Sequence, residues 1–214
     1  MHIIGIVGSK RKKGNTATLV QKTLEPFLEP FRDRPDFSVE TIYLGDLKIE
    51  GCRGCEGCAK TNQCIIDDDM QGLYAELRKA DALIVGSPTY FYNITSDMKK
   101  FIDRCYCFCS FDKADRSAWL SEFEYGRPKY ASLIAICEQN NFEDMGFTAD
   151  ALKLSFQSLG FRITGIQKVL HAFKAGEVLS QDPTLEEANR MGLRLMKTLT
   201  LLDSKIPVKN TYSR

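Results

Sequence analysis

The sequence predicts an α/β chain built on a doubly wound, five-stranded parallel sheet. Three observations carry this: short β-rich runs alternate with longer helical patterns, the best runs are apolar throughout, and most end at or near a glycine or proline. Continuous apolar runs of that length belong to strands buried on both faces, and alternation with helices makes neighbouring strands parallel.

The first strand is "HIIGIVG" (2–8), an apolar run closed by glycine. From Asn15 to about Phe31, the residues Leu19, Val20, Leu24, Phe27 and Leu28 recur at helical spacing, with Asn15 or Thr16 placed to cap the helix. "FSVETIYL" (37–44) alternates as the second strand. "DDDMQGLYAELRKA" (67–80) reads as a helix whose first turn carries Asp67, Asp68 and Asp69, a solvated start that the helix dipole favours. "DALIVGSP" (81–88) is the third strand, and "SDMKKFIDRCYCF" (96–108) a helix opened by Ser96. "KYASLIAIC" (129–137) is the fourth strand, and "FTADALKLSFQSLG" (147–160) a helix ending on a C-cap glycine. After the fifth strand, "FRITGIQKVL" (161–170), comes "TLEEANRMGLRLMKTLTLL" (184–202), with Thr184 and Glu187 spaced as a capping box.

The length of 214 residues suits one α/β domain, and neither a repeat nor a low-complexity linker divides the chain. One domain is expected over 1–203, with a polar tail over 204–214. A net charge of +1 argues against global steering toward nucleic acid or anionic lipid. "MHIIGIVGSK" has no basic segment ahead of its short apolar run, and no stretch approaches the ~18 apolar residues of a membrane span. A cytoplasmic protein is expected, without membrane or nucleic-acid partners. In that compartment thiols stay reduced, so the eight cysteines point to metal or redox chemistry rather than disulfides.

In such sheets ligands bind beyond the carboxyl ends of the strands, where strand order reverses. The loop after the first strand, "GSKRKKGNT" (8–16), combines two glycines with hydroxyl, amide and cationic donors at a helix N-terminus. These are the ingredients for one phosphate group. The loop matches neither a Walker sequence nor a dinucleotide fingerprint, which leaves a solvated basic turn as the competing reading. The loop after the third strand brings Pro88, Thr89, Tyr90, Phe91, Tyr92 and Asn93 into one turn. With strands in the order 2-1-3-4-5 the two loops are neighbours, and the aromatic turn offers a wall and edge donors to a flat ring.

"GSKRKKGNT", "SPTYFYNITSDMKKFIDR" and "DPTLEEANRMGLRL" resemble the NADPH-dependent FMN reductase family of flavodoxin-like proteins, over nearly the whole chain. The resemblance implies the flavodoxin-like fold and FMN, with its phosphate at the loop of Ser9, Arg11, Gly14, Asn15 and Thr16 and its ring against Pro88 to Asn93. It also implies NAD(P)H as a possible electron donor and a homodimer or homotetramer whose neighbouring subunits help cover the flavin. "CEQNNFEDMG" departs from the family's glycine-rich third loop, so contacts from Glu138 to Asn141 are not carried over.

Cys52, Cys55, Cys58 and Cys64 form C-x2-C-x2-C-x5-C at the exit of the second strand, at the sheet end expected for the flavin. Three cysteines in seven residues suit three corners of a [4Fe–4S] cluster, with Gly51, Gly54 and Gly57 freeing the backbone. Zinc and unmetallated redox thiols are the alternatives. The spacing is similar to that of the iron–sulfur flavoproteins, a branch of the same family. That likeness implies a cluster relaying single electrons to or from FMN, with a ferredoxin-like donor and a small-molecule acceptor. Cys105, Cys107, Cys109 and Cys137 read as small buried hydrophobes. No side-chain catalytic base is needed or evident, and His2 and His171 read as structural. The rivals are a cluster-free NAD(P)H-dependent FMN or quinone reductase and, from another class, a zinc or nucleic-acid-binding module built on "KRKK".

Overall fold

The computed structural model describes residues 1–205. In chain order the elements are β1 (His2–Val7), α1 (Asn15–Leu28), β2 (Ser38–Tyr43), α2 (Met70–Lys79), β3 (Ala82–Pro88) and α3 (Ser96–Arg104). Then follow β4 (Cys109–Phe111), β5 (Trp119–Ser121), β6 (Lys129–Ile136), α4 (Thr148–Ser158), β7 (Phe161–Val169) and α5 (Asp182–Lys205). The main sheet is parallel throughout, ordered β2-β1-β3-β6-β7. Because β4 and β5 form a separate antiparallel hairpin, this is the flavodoxin-like 2-1-3-4-5 order that the sequence predicts.

Side chains alternating along the buried strands feed two cores. Ile3, Val7 and Ile84 pack with Leu19, Phe27, Met191 and Leu195 of α1 and α5. Ile4, Ile6, Leu83 and Val85 pack with Met70, Phe101, Leu152 and Phe156 of α2, α3 and α4. Burying a side chain of this size stabilises the fold by roughly 1.5–3 kcal/mol.

Several boundaries differ from expectation. Helix α1 stops at Leu28, and its N-cap is Gly14 rather than Asn15 or Thr16. Helix α3 ends at Arg104 instead of 108, and Thr95 rather than Ser96 caps it, accepting from the Met98 N–H. Residues 105–108 tighten into a 3-10 turn leading to the hairpin. Helix α5 starts at Asp182, so Thr184 lies inside it and bonds to Gln181 Oε1 rather than capping. It runs on through Lys205, so residues 204–205 are helical; the remainder of the expected tail lies outside the described residues.

Lys129 opens β6 and packs its ammonium over the Phe123 ring at 5.2 Å while donating to the Arg78 carbonyl. Burial lowers its pKa to about 8, only partly countered by Asp81 and Glu122. The folded state therefore disfavours the charged form, and the penalty is relieved as pH rises from about 8 to the ordinary 10.5. Relative to Lys129→Met, the wild type should gain on the order of 3 kcal/mol across that window, read from urea unfolding at each pH.

Candidate functional site

The first cavity opens where the carboxyl ends of β1 and β3 meet and measures about 300 Å³. It is lined by Ser9, Arg11, Gly14, Asn15 and Thr16 from one loop and by Pro88, Thr89, Tyr90 and Phe91 from the other. No side chain caps α1, so the first-turn N–H groups are left for a ligand, and the dipole there favours an anion. Ser9 is buried, and its Oγ accepts from the Arg11 N–H at 3.2 Å. Arg11 lies over the Phe173 ring at 5.1 Å and donates to the Phe173 carbonyl at 2.8 Å.

Asn15 borders the cavity but spends its amide on the scaffold, donating to the Lys174 carbonyl and accepting from the Val178 N–H. That contact draws the loop after β7 over the site, where Ala172, Phe173 and Ala175 complete the wall. The only sequence signal for them was an aromatic among small residues at a strand exit. Glu138 also lines the cavity, although the altered third loop gave no reason to include it. The basic turn is less free than its composition suggests: Lys12 pairs with Asp46 at 2.8 Å and Lys10 with Asp97 at 3.6 Å.

Tyr92 and Asn93 do not line the cavity but form its frame. The Tyr90 N–H donates to the Asn93 carbonyl at 2.7 Å and the Asn93 N–H returns to Tyr90 at 3.2 Å, closing a two-residue hairpin. Both tip residues have positive φ, 48° at Phe91 and 66° at Tyr92. Such turns prefer Asn-Gly, and a bulky residue there costs about 1–2 kcal/mol. The strained tip leaves Phe91 97% exposed. Beside it, the Thr89 N–H donates to the Ile136 carbonyl, whereas its buried Oγ1 has no hydrogen-bond partner. A buried orphan hydroxyl on a cavity wall marks a place for a ligand's polar edge.

The second cavity, of about 620 Å³, gathers Cys52, Cys55, Cys58 and Cys64 against Ile65, Ile66, Ile102 and Leu154. The backbone curls through left-handed conformations at Gly54 (φ 62°), Glu56 (54°) and Asn62 (52°). Cys52 and Cys55 are exposed, and Cys58 and Cys64 half-buried. Although the loop leaves β2 at the end of the first cavity, it folds back along the α2–α4 face. Asn62 accepts from Arg78 in the last turn of α2, and Leu159, just before β7, lines the cavity. The two cavities share no lining residue.

The loop is anchored from beneath by Arg104, which is 1% exposed. Its guanidinium donates to the Glu50 and Ile66 carbonyls, on either side of the loop, and to both carboxylate oxygens of Asp68 at 2.5 and 3.1 Å. Asp68 also accepts from the Glu50 and Met70 N–H groups. Asp68 is therefore a buried counter-ion and not part of a solvated helix start. Burial alone would raise its pKa, but Arg104 and those N–H donors more than offset it. Arg104 Nε has no hydrogen-bond partner; burial would lower the guanidinium's pKa, but Asp68, Tyr74 and Cys64 more than offset it. Burial pushes the Cys64 thiol up, but the Ile66 N–H, the Tyr74 hydroxyl and Arg104 bring it below its usual value.

Cys105, Cys107 and Cys137 are buried as expected. Cys109 is not a helical core residue: it opens β4 and lines the cysteine cavity. Burial raises its pKa to about 11 and that of Cys107 to about 12, so both stay protonated at neutral pH. The hairpin braces the loop through Arg116, which pairs with Glu56 at 2.9 Å and lies over Phe111. Among the described residues, no helix is long and apolar enough to cross a membrane.

A family model described as NADPH-dependent FMN reductase matches residues 1–121. Curated relatives named iron-sulfur flavoprotein include one from Archaeoglobus fulgidus, 36% identical over 104 residues, covering 49% of this chain and 45% of the relative. Another, from Methanosarcina thermophila, is 35% identical over 104 residues, covering 49% and 52%. The chain thus spans about half the length of the curated relatives it matches. Among solved structures, an azoreductase from Bacillus anthracis aligns with a TM-score of 0.64 at 12% identity, covering 90% of this chain and 98% of that one. A flavodoxin from the domain Archaea aligns at 0.56 and 17%, covering 94% and 99%. At these identities the structural likeness speaks for the fold alone.

Proposed function

From the premise that this chain belongs to the NADPH-dependent FMN reductase family, we propose that it is a flavin-dependent oxidoreductase of iron–sulfur flavoprotein type. FMN binds in the first cavity and a [4Fe–4S] cluster on the cysteine loop. FMN supplies hydride acceptance and one-electron exchange, and the cluster one-electron exchange. The protein's part is to bind, orient and shield. The uncapped start of α1 with Ser9 and Arg11 takes the phosphate, the Pro88–Phe91 strip gives the ring a wall, and Arg11 holds Phe173 across the opening. Cys52, Cys55, Cys58 and Cys64 supply four thiolates, and the unshared Arg104 Nε suits a sulfur acceptor.

The observation that carries the flavin reading is the buried, unpartnered Thr89 hydroxyl beside an uncapped helix. Thr89→Val is expected to weaken FMN binding roughly tenfold, the value of one hydrogen bond. It should also leave the flavin-free protein as stable as before or about 1 kcal/mol more so, because the orphan disappears. FMN titration by flavin fluorescence alongside urea unfolding checks both. A variant that loses stability but keeps its FMN affinity overturns the reading.

Exposed Tyr90, Phe91, Tyr92, Phe142 and Phe147 support a second copy closing over this site in a homodimer or homotetramer. Within one chain the two cavities share no lining residue, which favours exchange between FMN and cluster across such an assembly. NAD(P)H or a ferredoxin-like protein is the donor and a small molecule the acceptor. The exposure of Cys52 and Cys55 favours a second reading, a cluster-free NAD(P)H-dependent FMN or quinone reductase. Anaerobically purified protein separates the two: iron and sulfide near four per chain support the first, and flavin bands without iron the second.

A further inference from the structure

At the amino end of the sheet three side chains from three elements converge: His2 on β1, Glu40 on β2 and Glu76 on α2. None of them lines either cavity. His2 Nε2 lies 3.3 Å from Glu40 Oε1 and 3.5 Å from Glu76 Oε2. Nε2 and Glu40 Oε1 are both shielded from solvent, yet neither makes a hydrogen bond. An imidazolium held by carboxylates aims its N–H at one of them; here neither oxygen meets hydrogen-bond geometry with Nε2.

The other ring nitrogen sits 2.6 Å from Ser38 Oγ. With Nδ1 donating there, the Nε2 lone pair turns into the gap between the carboxylates, an arrangement repulsive until a cation fills it. Glu76 is fixed from behind, its Oε1 accepting from Lys79 at 2.8 Å, which leaves Oε2 for the gap. A tetrahedral ion bound at about 2.0–2.1 Å separates its nitrogen and oxygen ligands by about 3.3–3.4 Å. The two separations, 3.3 and 3.5 Å, fall beside that value.

We propose that His2, Glu40 and Glu76 form a binding site for a divalent cation of zinc type, with the partly exposed Glu40 side leaving a fourth position for water. The ion pins α2 to the β1–β2 edge, making the site structural rather than redox-active.

The chain has only two histidines, so His2 ring resonances can be followed by NMR with His171 as the internal reference. Zinc chloride is titrated into the intact, reduced protein carrying its native cofactors. Zinc taken by free thiols of the cysteine loop leaves the His2 signals unmoved and is not mistaken for this site. The expected result is a saturable shift of His2 alone, with affinity lowered at least tenfold in Glu40→Gln and in Glu76→Gln. Both substitutions are on partly exposed side chains, and neither touches the two cavities. Two results overturn the proposal. One is a His2 ring that responds to pH and not to zinc, which marks a simple ion pair. The other is a zinc shift of equal strength in both glutamine variants, which marks adventitious binding by a lone histidine.

Discussion

Arg104→Met is expected to destabilise the protein by about 3–5 kcal/mol, because it leaves the Asp68 carboxylate buried without its counter-charge. The same change frees the cysteine loop at both ends, since Arg104 holds the Glu50 and Ile66 carbonyls. Stability and metal retention can be separated. Arg104→Met combined with Asp68→Leu removes the unpaired charge and should recover part of the lost stability, less the cost to the Glu50 and Met70 N–H groups that lose their acceptor. It should not restore iron binding, because the loop's anchor is still missing. Urea unfolding and iron content, measured on both variants, test this; iron retained in the folded double variant refutes the anchoring role. The pH dependence follows the same pair. The folded-state pKa of Asp68 is depressed, so its contribution is present in full above the ordinary 3.8 and is lost as pH falls through the folded value. The double variant should lack that part of the acid response.

The second large effect is expected at Gly146, which touches neither cavity wall. Its φ of 54° with ψ of −127° belongs to glycine, and an added Cβ meets the Tyr92 carbonyl oxygen at 2.4 Å. Next to it, the Phe147 N–H donates to that same carbonyl at 2.8 Å. Gly146→Ala therefore combines backbone strain with a collision against the already strained Tyr90–Asn93 turn. The expected cost is about 3 kcal/mol or more. FMN affinity should fall at least tenfold with it, since Thr89 and Phe91 are positioned by that turn. Thermal unfolding and flavin titration check the two together. An alanine variant with normal FMN affinity shows that the turn does not position the flavin.

The parallel sheet and the two loops that line the first cavity were legible because their signals are local: apolar runs, glycines and the aromatic turn each lie within one segment. The cysteine motif was legible for the same reason. What could not be read were partners far apart in sequence. Asp68 looks solvated within "DDD" because its cation comes 36 positions later, from the end of α3. "CYCFC" has a helical composition, yet packing against Tyr74 and Phe123 favours a 3-10 turn and a three-residue strand that no periodicity announces. Phe173 reaches the first cavity on a loop that Asn15 and Arg11 bind from across the chain. Thr184 and Glu187 have capping-box spacing, but α5 begins two residues earlier, at Asp182, a shift that sequence spacing does not resolve.

The hairpin brings one more property. Trp119, the single tryptophan, stacks on Phe111, which stacks in turn on Tyr106 in the wall of the cysteine cavity. Indole emission is therefore expected to change when a metal or cluster enters the cysteine cavity, and flavin fluorescence when FMN enters the first cavity. Occupancy of the two sites can be followed in a single cuvette, at separate wavelengths, without any label.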